Sequence, residues 1–544
     1  MCKTYRFVIM LFYLLAFVGL AATGTFAQCT LKSGTIINET WTRAASPYCI
    51  VGNILVAGLT IEPGVRVVFN GNYVFEVAGV LTAIGTQSDS IRFTKADTSL
   101  GWGGIYFNNS APGSQLVFCV IERSRNRGIT INNSSPLIRH SAISSNSVSG
   151  STALGAGIQT NTRLRLEGCI LSGNVSSAIA QGGGAIGTSK GGGIFSSAPL
   201  VLENCTISNN SVSAVANGTC PIGGAIAIGQ GGGIYASDSL TITASIITSN
   251  HITTSATGGE GQSATSLGGG IYRIGNSCVL LNSIISYNTI EATRSEFCTI
   301  PPPVTRNGGG IFSSSGPMTI TNCNIAYNQL GITQSGGTLL VKNSIVYFNT
   351  PDTSQISRNA IVTYSNVQRG FPGTGNIDQN PIFLSTSILQ IVLGSPCVDA
   401  GDPNPAFNDA CVPPGLGTIR NDMGAHGGPG NCGWIITDVK EVYSNRPLQH
   451  YLTQNYPNPF NPTTKINFSI PSTSFTTLKV FDILGKEVAT LVDEELKPGS
   501  YETTFSAKGG SASGGDGKDL SSGVYFYRLS AGSFVETKKL LLLR

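Results

Sequence analysis

Between Gly101 and Pro351 the sequence offers few groups for acid chemistry: Glu122, Glu167, Glu203, Asp238, Glu260, Glu291 and Glu296. Cleaving a polysaccharide needs convergent carboxylates, either a pair flanking the glycosidic bond or several holding Ca²⁺ beside a basic group. No Asp-Asp pair and no stacked Asp series occurs, which argues against both arrangements, while eliminations on uronates by Lys, Arg or His are less firmly excluded. Only four histidines are present, His140, His251, His426 and His450, and none is spaced from another as a metal pair. With no CxxC pair and no Gly-Gly-x-Gly-x-Asp repeat, neither a metal nor a cofactor is expected. Gly182-x-Gly184-x-x-Gly187 and Gly187-Thr188-Ser189-Lys190-Gly191 fit a dinucleotide fingerprint and a nucleophile elbow by letter, but neither has a strand-turn-helix context.

Two groups of side chains could bind rather than react. If Ile194, Ile234, Ile271 and Ile311 point inward, strand alternation sends Phe195, Tyr235, Tyr272 and Phe312 outward at one position of four successive repeats. Such a row of rings can hold sugars, unless the long insertions in the same repeats fold over it. Arg123, Arg125, Arg127, Arg139, Arg163 and Arg165 form a basic group that reads either as a contact for anionic glycans or as a solvated face.

What must position these residues is a repeat that runs from about residue 50 to 370. One element is Gly-Ile, at Ile105, Ile129, Ile158, Ile194, Ile234, Ile271, Ile311 and Ile332. A second places a small residue before an aliphatic and then Asn, as in Cys205-Thr206-Ile207-Ser208-Asn209-Asn210 and Ser344-Ile345-Val346-Tyr347-Phe348-Asn349. Aliphatic and polar residues alternate within each segment, which is strand periodicity, and no single strand can bury its apolar face alone. Coils stacked ~4.8 Å apart solve this by sharing one continuous core. Runs such as Gly191-Gly192-Gly193 allow sharp turns at the corners. Asn146, Asn174, Asn210, Asn250, Asn288, Asn328 and Asn349 mark another turn, where Asn tolerates left-handed geometry and its amide can bond the Asn of the next coil.

The coils resemble the pectin-lyase-like right-handed parallel β-helix superfamily, and the Gly-Gly-Gly-Ile and Ile-x-x-Asn elements are similar to repeats of bacterial surface β-helices. Leu59 to Ile105 looks like the opening coils of such proteins, and Gly394 to Ala425 like their terminal segment. The likeness implies a fold and not an activity, because this fold carries lyases, hydrolases and adhesins alike.

From Tyr456-Pro457-Asn458-Pro459-Phe460 onward the chain grows richer in charge, with short alternating strands expected at 465–470, 477–482, 501–505, 524–530 and 534–542. A β-sandwich of about 90 residues fits that spacing. It closely resembles the type A C-terminal sorting domain of the type IX (Por) secretion system. The matching positions are Pro457, Asn458, Pro459, Phe460, Gly523 and Tyr525 in Leu520-Ser521-Ser522-Gly523-Val524-Tyr525, and the basic pair Lys538 and Lys539. The departure is a Gly-rich insert, Lys508 to Gly517. The resemblance implies the outer-membrane secretion machinery as partner and a secreted or cell-surface destination.

The start of the chain supports export. A basic Lys3 and Arg6, an apolar run from Phe7 to about Leu20 and small residues at Thr25 and Ala27 read as a signal peptide cut after Ala27. Its apolar run is shorter than the ~20 residues a membrane span needs, so no span is expected in the mature chain. Export also puts the cysteines where disulfides persist. Cys29 with Cys49 and Cys411 with Cys432 are plausible staples, each contributing about 3 kcal/mol for loops of this size. Cys119, Cys169, Cys205 and Cys323 share a repeat position with Ser141, Ser245, Ser283 and Ser344 and read as small buried groups; the pairing of Cys220, Cys278, Cys298 and Cys397 stays open. Charged residues make up only 11% of the 544, and the net charge of +4 is nowhere concentrated, so nucleic acid is not an expected partner.

The sequence thus predicts an all-β chain: a signal peptide over 1–27, a right-handed parallel β-helix over 28–432, a linker over 433–452 and an Ig-like sorting sandwich over 453–544. Its expected role is a non-catalytic, adhesin-like or glycan-binding display protein, the alternative being a carbohydrate-active β-helix enzyme with its site in the loops.

Overall fold

The computed structural model describes residues 29–434, with breaks at 98–100, 219–223, 259–261, 295–303, 353–354, 358 and 387–388, and residues 451–543, with breaks at 453, 456, 471–472, 497–498, 508–519 and 533. The signal segment 1–27, most of the linker, Cys220, Cys298 and the Gly-rich insert lie outside the described residues. The chain divides into two units, Met1–Ile435 and Ile436–Arg544.

The first unit is a parallel β-helix whose coils each contribute three short strands. In the first strands Ile105, Ile129, Ile158, Ile194, Ile234, Ile271, Ile311 and Ile332 pair in unbroken register. In the second, Leu116, Ile138, Leu166, Leu202, Ile242, Leu280, Ile320, Val341 and Val362 do the same. In the third, the column runs Ile121, Ile143, Leu171, Ile207, Ile247, Ile285, Ile325, Val346 and Val367. All three columns are buried and meet in one core. Each such side chain contributes roughly 1.5–3 kcal/mol relative to an exposed one. At the N-terminal end larger rings fill the interior, with Trp41 stacked on Tyr48 and Trp102 on Phe69.

The asparagine column forms a buried ladder. The Nδ2 of Asn174 donates to the Oδ1 of Asn210 at 2.8 Å and to the carbonyl of Ile143 at 2.9 Å, and the pattern recurs at every step to Asn349, which ends on Gln355 Oε1. The left-handed backbone expected at these asparagines sits one residue earlier instead, at Ser145, Gly173, Asn209, Ser249, Tyr287, Tyr327 and Phe348. The asparagine itself is thereby free to aim inward along the helix axis. The cysteine and serine column is buried beside it, each hydroxyl accepting from a neighbouring coil, as in Cys119 N–H to Ser141 Oγ at 3.0 Å. At the glycine corner the first two residues are both constrained, because Gly231 is left-handed at φ +67° with the Ile234 carbonyl in the way of a Cβ, and a Cβ on Gly232 would run into the carbonyl of Gly269.

The insertions expected as loops are themselves strands. Outgoing segments such as Val175–Gln181, Ser211–Asn217 and His251–Thr257 stack into one five-stranded parallel sheet, and returning segments such as Ile186–Lys190, Ile226–Gln230 and Ser263–Leu267 into another. The two sheets face each other across a thin core of alanines, among them Ala178, Ala214, Ala227, Ala256 and Ala264. This side wing is held together largely by methyl groups, with one small aliphatic cluster of Val212, Ile252 and Ile290 in register on its outgoing strands.

Both staples are present, Cys29–Cys49 and Cys411–Cys432. Cys278 and Cys397 are buried thiols. Burial pushes the Cys323 thiol up to about 12 and that of Cys119 higher still, so both remain protonated and unreactive.

The second unit is an antiparallel sandwich. One sheet has three strands, Tyr451–Leu452, Thr463–Ile470 and Gly499–Ser506; the other has four, in the order Glu487–Leu496, Ser474–Phe481, Gly523–Ala531, Phe534–Leu542. Ile466, Phe468, Val480, Tyr527 and Leu540 are buried between them. Among the described residues no helix is long and apolar enough to cross a membrane.

Candidate functional site

The four predicted rings do form one outward row. Their centroids are 4.9 Å apart from Phe195 to Tyr235, 5.1 Å from Tyr235 to Tyr272 and 5.5 Å from Tyr272 to Phe312, with near-parallel planes. A sugar platform needs a free ring face. Here both faces of Tyr235 and Tyr272 and the inner faces of Phe195 and Phe312 are taken by neighbouring rings, so the row offers chiefly its edges. The edges are covered as well, since Tyr235, Tyr272 and Phe312 are buried and only Phe195 is half-buried. The cover is the base of the wing, where Lys190, Gln230 and Leu267 lie in register on its returning strands. The Lys190 ammonium sits 4.8 Å above the Tyr235 ring and Leu267 packs with the cluster. Desolvation accordingly pushes the Tyr235 and Tyr272 phenols up and the Lys190 ammonium down. As a platform for sugars this row is therefore closed by the wing's own side chains.

The arginines do not gather on one element. Arg123, Arg125 and Arg127 occupy the corner between strands Cys119–Glu122 and Ile129–Asn132, whereas Arg139 and Arg165 lie on the second strands of their coils. Arg127 is held by the carbonyl of Leu154 at 2.8 Å and by Asn126 Oδ1 at 3.1 Å. Arg165 pairs with Glu203 at 2.6 Å, Arg139 with Glu167 at 3.0 Å and Arg92 with Glu122 at 2.9 Å, in each case across coils. Arg125 keeps an exposed side chain.

A second aromatic row escaped the sequence reading. Tyr287, Tyr327 and Phe348 stack at 5.0 and 4.9 Å and are half-buried, with the Tyr287 hydroxyl donating to the carbonyl of Thr386 in the terminal segment. The available signal was the residue just before three consecutive ladder asparagines, which reads Tyr, Tyr and Phe where earlier coils have Ser, Gly and Asn.

That terminal segment is organised by buried carboxylates. Asp422 accepts from the N–H groups of Asp399 and Leu416, both at 2.7 Å, and Asp409 from those of Asp422 and Gly428. Burial, opposed by these donors, leaves the Asp409 carboxyl at about 6 and that of Asp422 at about 7. Desolvation pushes the half-buried His426 imidazole down to about 4. Among the described residues no group of three or more His, Cys, Asp or Glu side chains is placed to hold a metal ion.

In the second unit the motif residues clasp the last strand. Phe460 is buried in the sandwich; its N–H donates to the carbonyl of Leu541, and its own carbonyl accepts from Leu543 N–H. Asn458 Oδ1 accepts from Leu541 N–H at 2.8 Å, and its Nδ2 donates to the carbonyl of Lys539. Pro457 and Pro459 stay exposed on either side. Gly523 pairs with Leu542, and Tyr525, buried, donates its hydroxyl to the carbonyl of Ser521 at 2.9 Å. Lys538 pairs with Glu536, while Lys539 is exposed.

A parallel β-helix followed by a small clasped sandwich makes the chain a solenoid that carries a separate terminal domain. Residues 454–543 match the family model described as a secretion system C-terminal sorting domain. The tail is a type IX sorting domain, which marks a protein secreted or attached to the cell surface and engages the type IX secretion machinery. No curated protein matches the chain.

Proposed function

We propose that the chain is a non-catalytic, adhesin-like display protein whose β-helix presents its outer surface to extracellular polysaccharide. The observation that carries this reading is the use made of the acidic residues: Glu122, Glu167 and Glu203 each answer an arginine of a neighbouring coil. Carboxylates committed to holding coils together are poor candidates for the convergent pair that cleavage needs. The exposed Arg125 is the position through which an anionic glycan would be met. The test is to pass the mature protein over a panel of immobilised polysaccharides while assaying for new reducing or unsaturated ends. Retention without cleavage is expected, weakened by Arg125→Ala; cleavage abolished by a single carboxylate or arginine substitution would establish the enzyme instead.

A further inference from the structure

The inward column of cysteine and serine runs Cys119, Ser141, Cys169, Cys205, Ser245, Ser283, Cys323, Ser344 and Ser365. Only once along it do two cysteines fall on consecutive coils. Cys169 and Cys205 directly precede the register pairs Ile170–Thr206 and Leu171–Ile207, so their backbones lie opposite each other. Both side chains point into the core, at 0% and 1% exposure, and in the structure both are free thiols.

The geometry suits a covalent bond. Parallel coils lie ~4.8 Å apart, inside the roughly 4.4–6.8 Å between Cα atoms that a disulfide spans, and the two Cβ atoms point the same way. The thiols are hydrogen-bonded to each other. Each is also held from the coil before, Cys169 Sγ by the Ile138 carbonyl at 3.7 Å and Cys205 Sγ by that of Leu166 at 3.5 Å. This helix already carries one bridge between adjacent parallel coils, Cys29–Cys49, with Cα atoms 5.7 Å apart.

We propose that Cys169 and Cys205 are joined as a third disulfide in the exported protein, which makes the pair a site of oxidative modification in the middle of the β-helix. The oxidant is a disulfide-bearing protein of the oxidising compartments an exported chain passes through. One cysteine thiolate attacks that disulfide to give a mixed disulfide, and the second displaces it; the Sγ–Sγ bond forms, two protons are given up and the oxidant leaves as a dithiol. Burial in an apolar core holds a cysteine as the unreactive thiol, so the exchange takes place before these coils close. Stacking then seals the bond from reductants. The segment it encloses contains the wing strands Val175–Gln181 and Ile186–Lys190, where the outgoing strand lengthens from the four residues of Ser147–Gly150 to seven. A cross-link there restrains the unfolded chain at the start of the wing's full-length excursions.

The experiment collects the exported full chain without reductant, unfolds it in the presence of an alkylating reagent, digests it with trypsin and weighs the peptides. Cys169 falls in peptide 166–190, and Cys205 falls with Cys220 in peptide 191–273. The expected product is these two peptides linked, at the sum of their masses less two hydrogens, present in C220S and absent in C205S. Serine is a safe replacement, because the column's five serines each accept from the backbone N–H of the coil before, at 3.0–3.2 Å. The C169S/C205S chain should therefore fold, and melt lower than C119S, which breaks no bridge. Alkylation of both Cys169 and Cys205 in the unreduced protein overturns the proposal, as does a link that survives C205S. A linked parent whose C169S/C205S variant melts no lower than C119S overturns the bridge as a staple.

Discussion

Replacing Asn250 by Ala removes one complete rung of the asparagine ladder. The Asn250 side chain donates to Asn288 Oδ1 at 3.0 Å and to the Ile207 carbonyl at 2.9 Å, and it accepts from the Asn210 N–H and Asn210 Nδ2, both at 3.0 Å. Two of the four groups left behind retain a partner, since Asn210 Nδ2 still reaches the Leu171 carbonyl and Asn288 Oδ1 still accepts from Asn250 N–H. The Asn210 N–H loses its bond inside a fully buried corner. Of the four bonds removed, the two whose groups keep another partner cost about 1 kcal/mol each and the stranded Asn210 donor about 1–3 kcal/mol, so these three alone give roughly 3–5 kcal/mol. Because coils contact only their neighbours, the damage should be local. Hydrogen exchange resolved along the chain is the assay, with loss of protection centred on 207–210, 246–250 and 284–288 and the terminal coils little changed. A urea midpoint corresponding to less than about 1 kcal/mol, or a loss of protection spread evenly over the helix, would refute the idea that the ladder carries this much of each coil's stability.

Three further outcomes follow from the same geometry. Tyr272→Ala should destabilise the protein by about 3–5 kcal/mol, as truncation of a buried ring does, with polysaccharide retention unaltered; reduced retention at unchanged stability would show that the covered row meets ligand after all. Arg165→Ala should cost less than about 1 kcal/mol in a denaturation series, because its partner Glu203 is partly exposed and the arginine more so. The terminal segment should lose protection as pH rises from 6.5 to 8. Its buried carboxyls titrate near 6 and 7 when folded but near 4 when unfolded, so the folded state holds more protons and that stability is lost as pH climbs through the folded values. His426, down at about 4, works in the opposite direction only below its ordinary value and leaves the range above 6.5 to the carboxyls. Limited proteolysis within 398–434 that is slower at pH 8 than at 6.5, after correction for protease activity, would contradict this.

What the sequence made legible was whatever repeats at fixed register. The isoleucine column, the asparagine ladder and the Cys/Ser column each place one residue type at one point of every coil, and stacking converts that recurrence directly into contact. The same reasoning failed where the pattern was chemically quiet. The wing strands alternate Ser or Thr with Ala, as in Ser211-Val212-Ser213-Ala214-Val215-Ala216, and residues that small resemble a loop until a second sheet is supplied for the methyl groups to face. Alternation predicted that Tyr235 and Tyr272 point outward and could not say that Gln230 and Leu267 lie over them, because that depends on the return path of the insertion. In the sandwich, Glu487–Leu496 was missed because its Asp493, Glu494 and Glu495 are exposed on an edge strand, where charge guards against further pairing and erases the apolar signal.

The tail motif carries a different lesson, about what a signature reports. Phe460 is in the core, Asn458 spends its amide on the backbone of the last strand, and Tyr525 is tied to Ser521. These side chains are occupied in holding the first and last segments of the sandwich together, so little of them is left for a partner to touch. Substituting them would impair delivery by loosening the domain, with a fall in melting temperature in step with the loss.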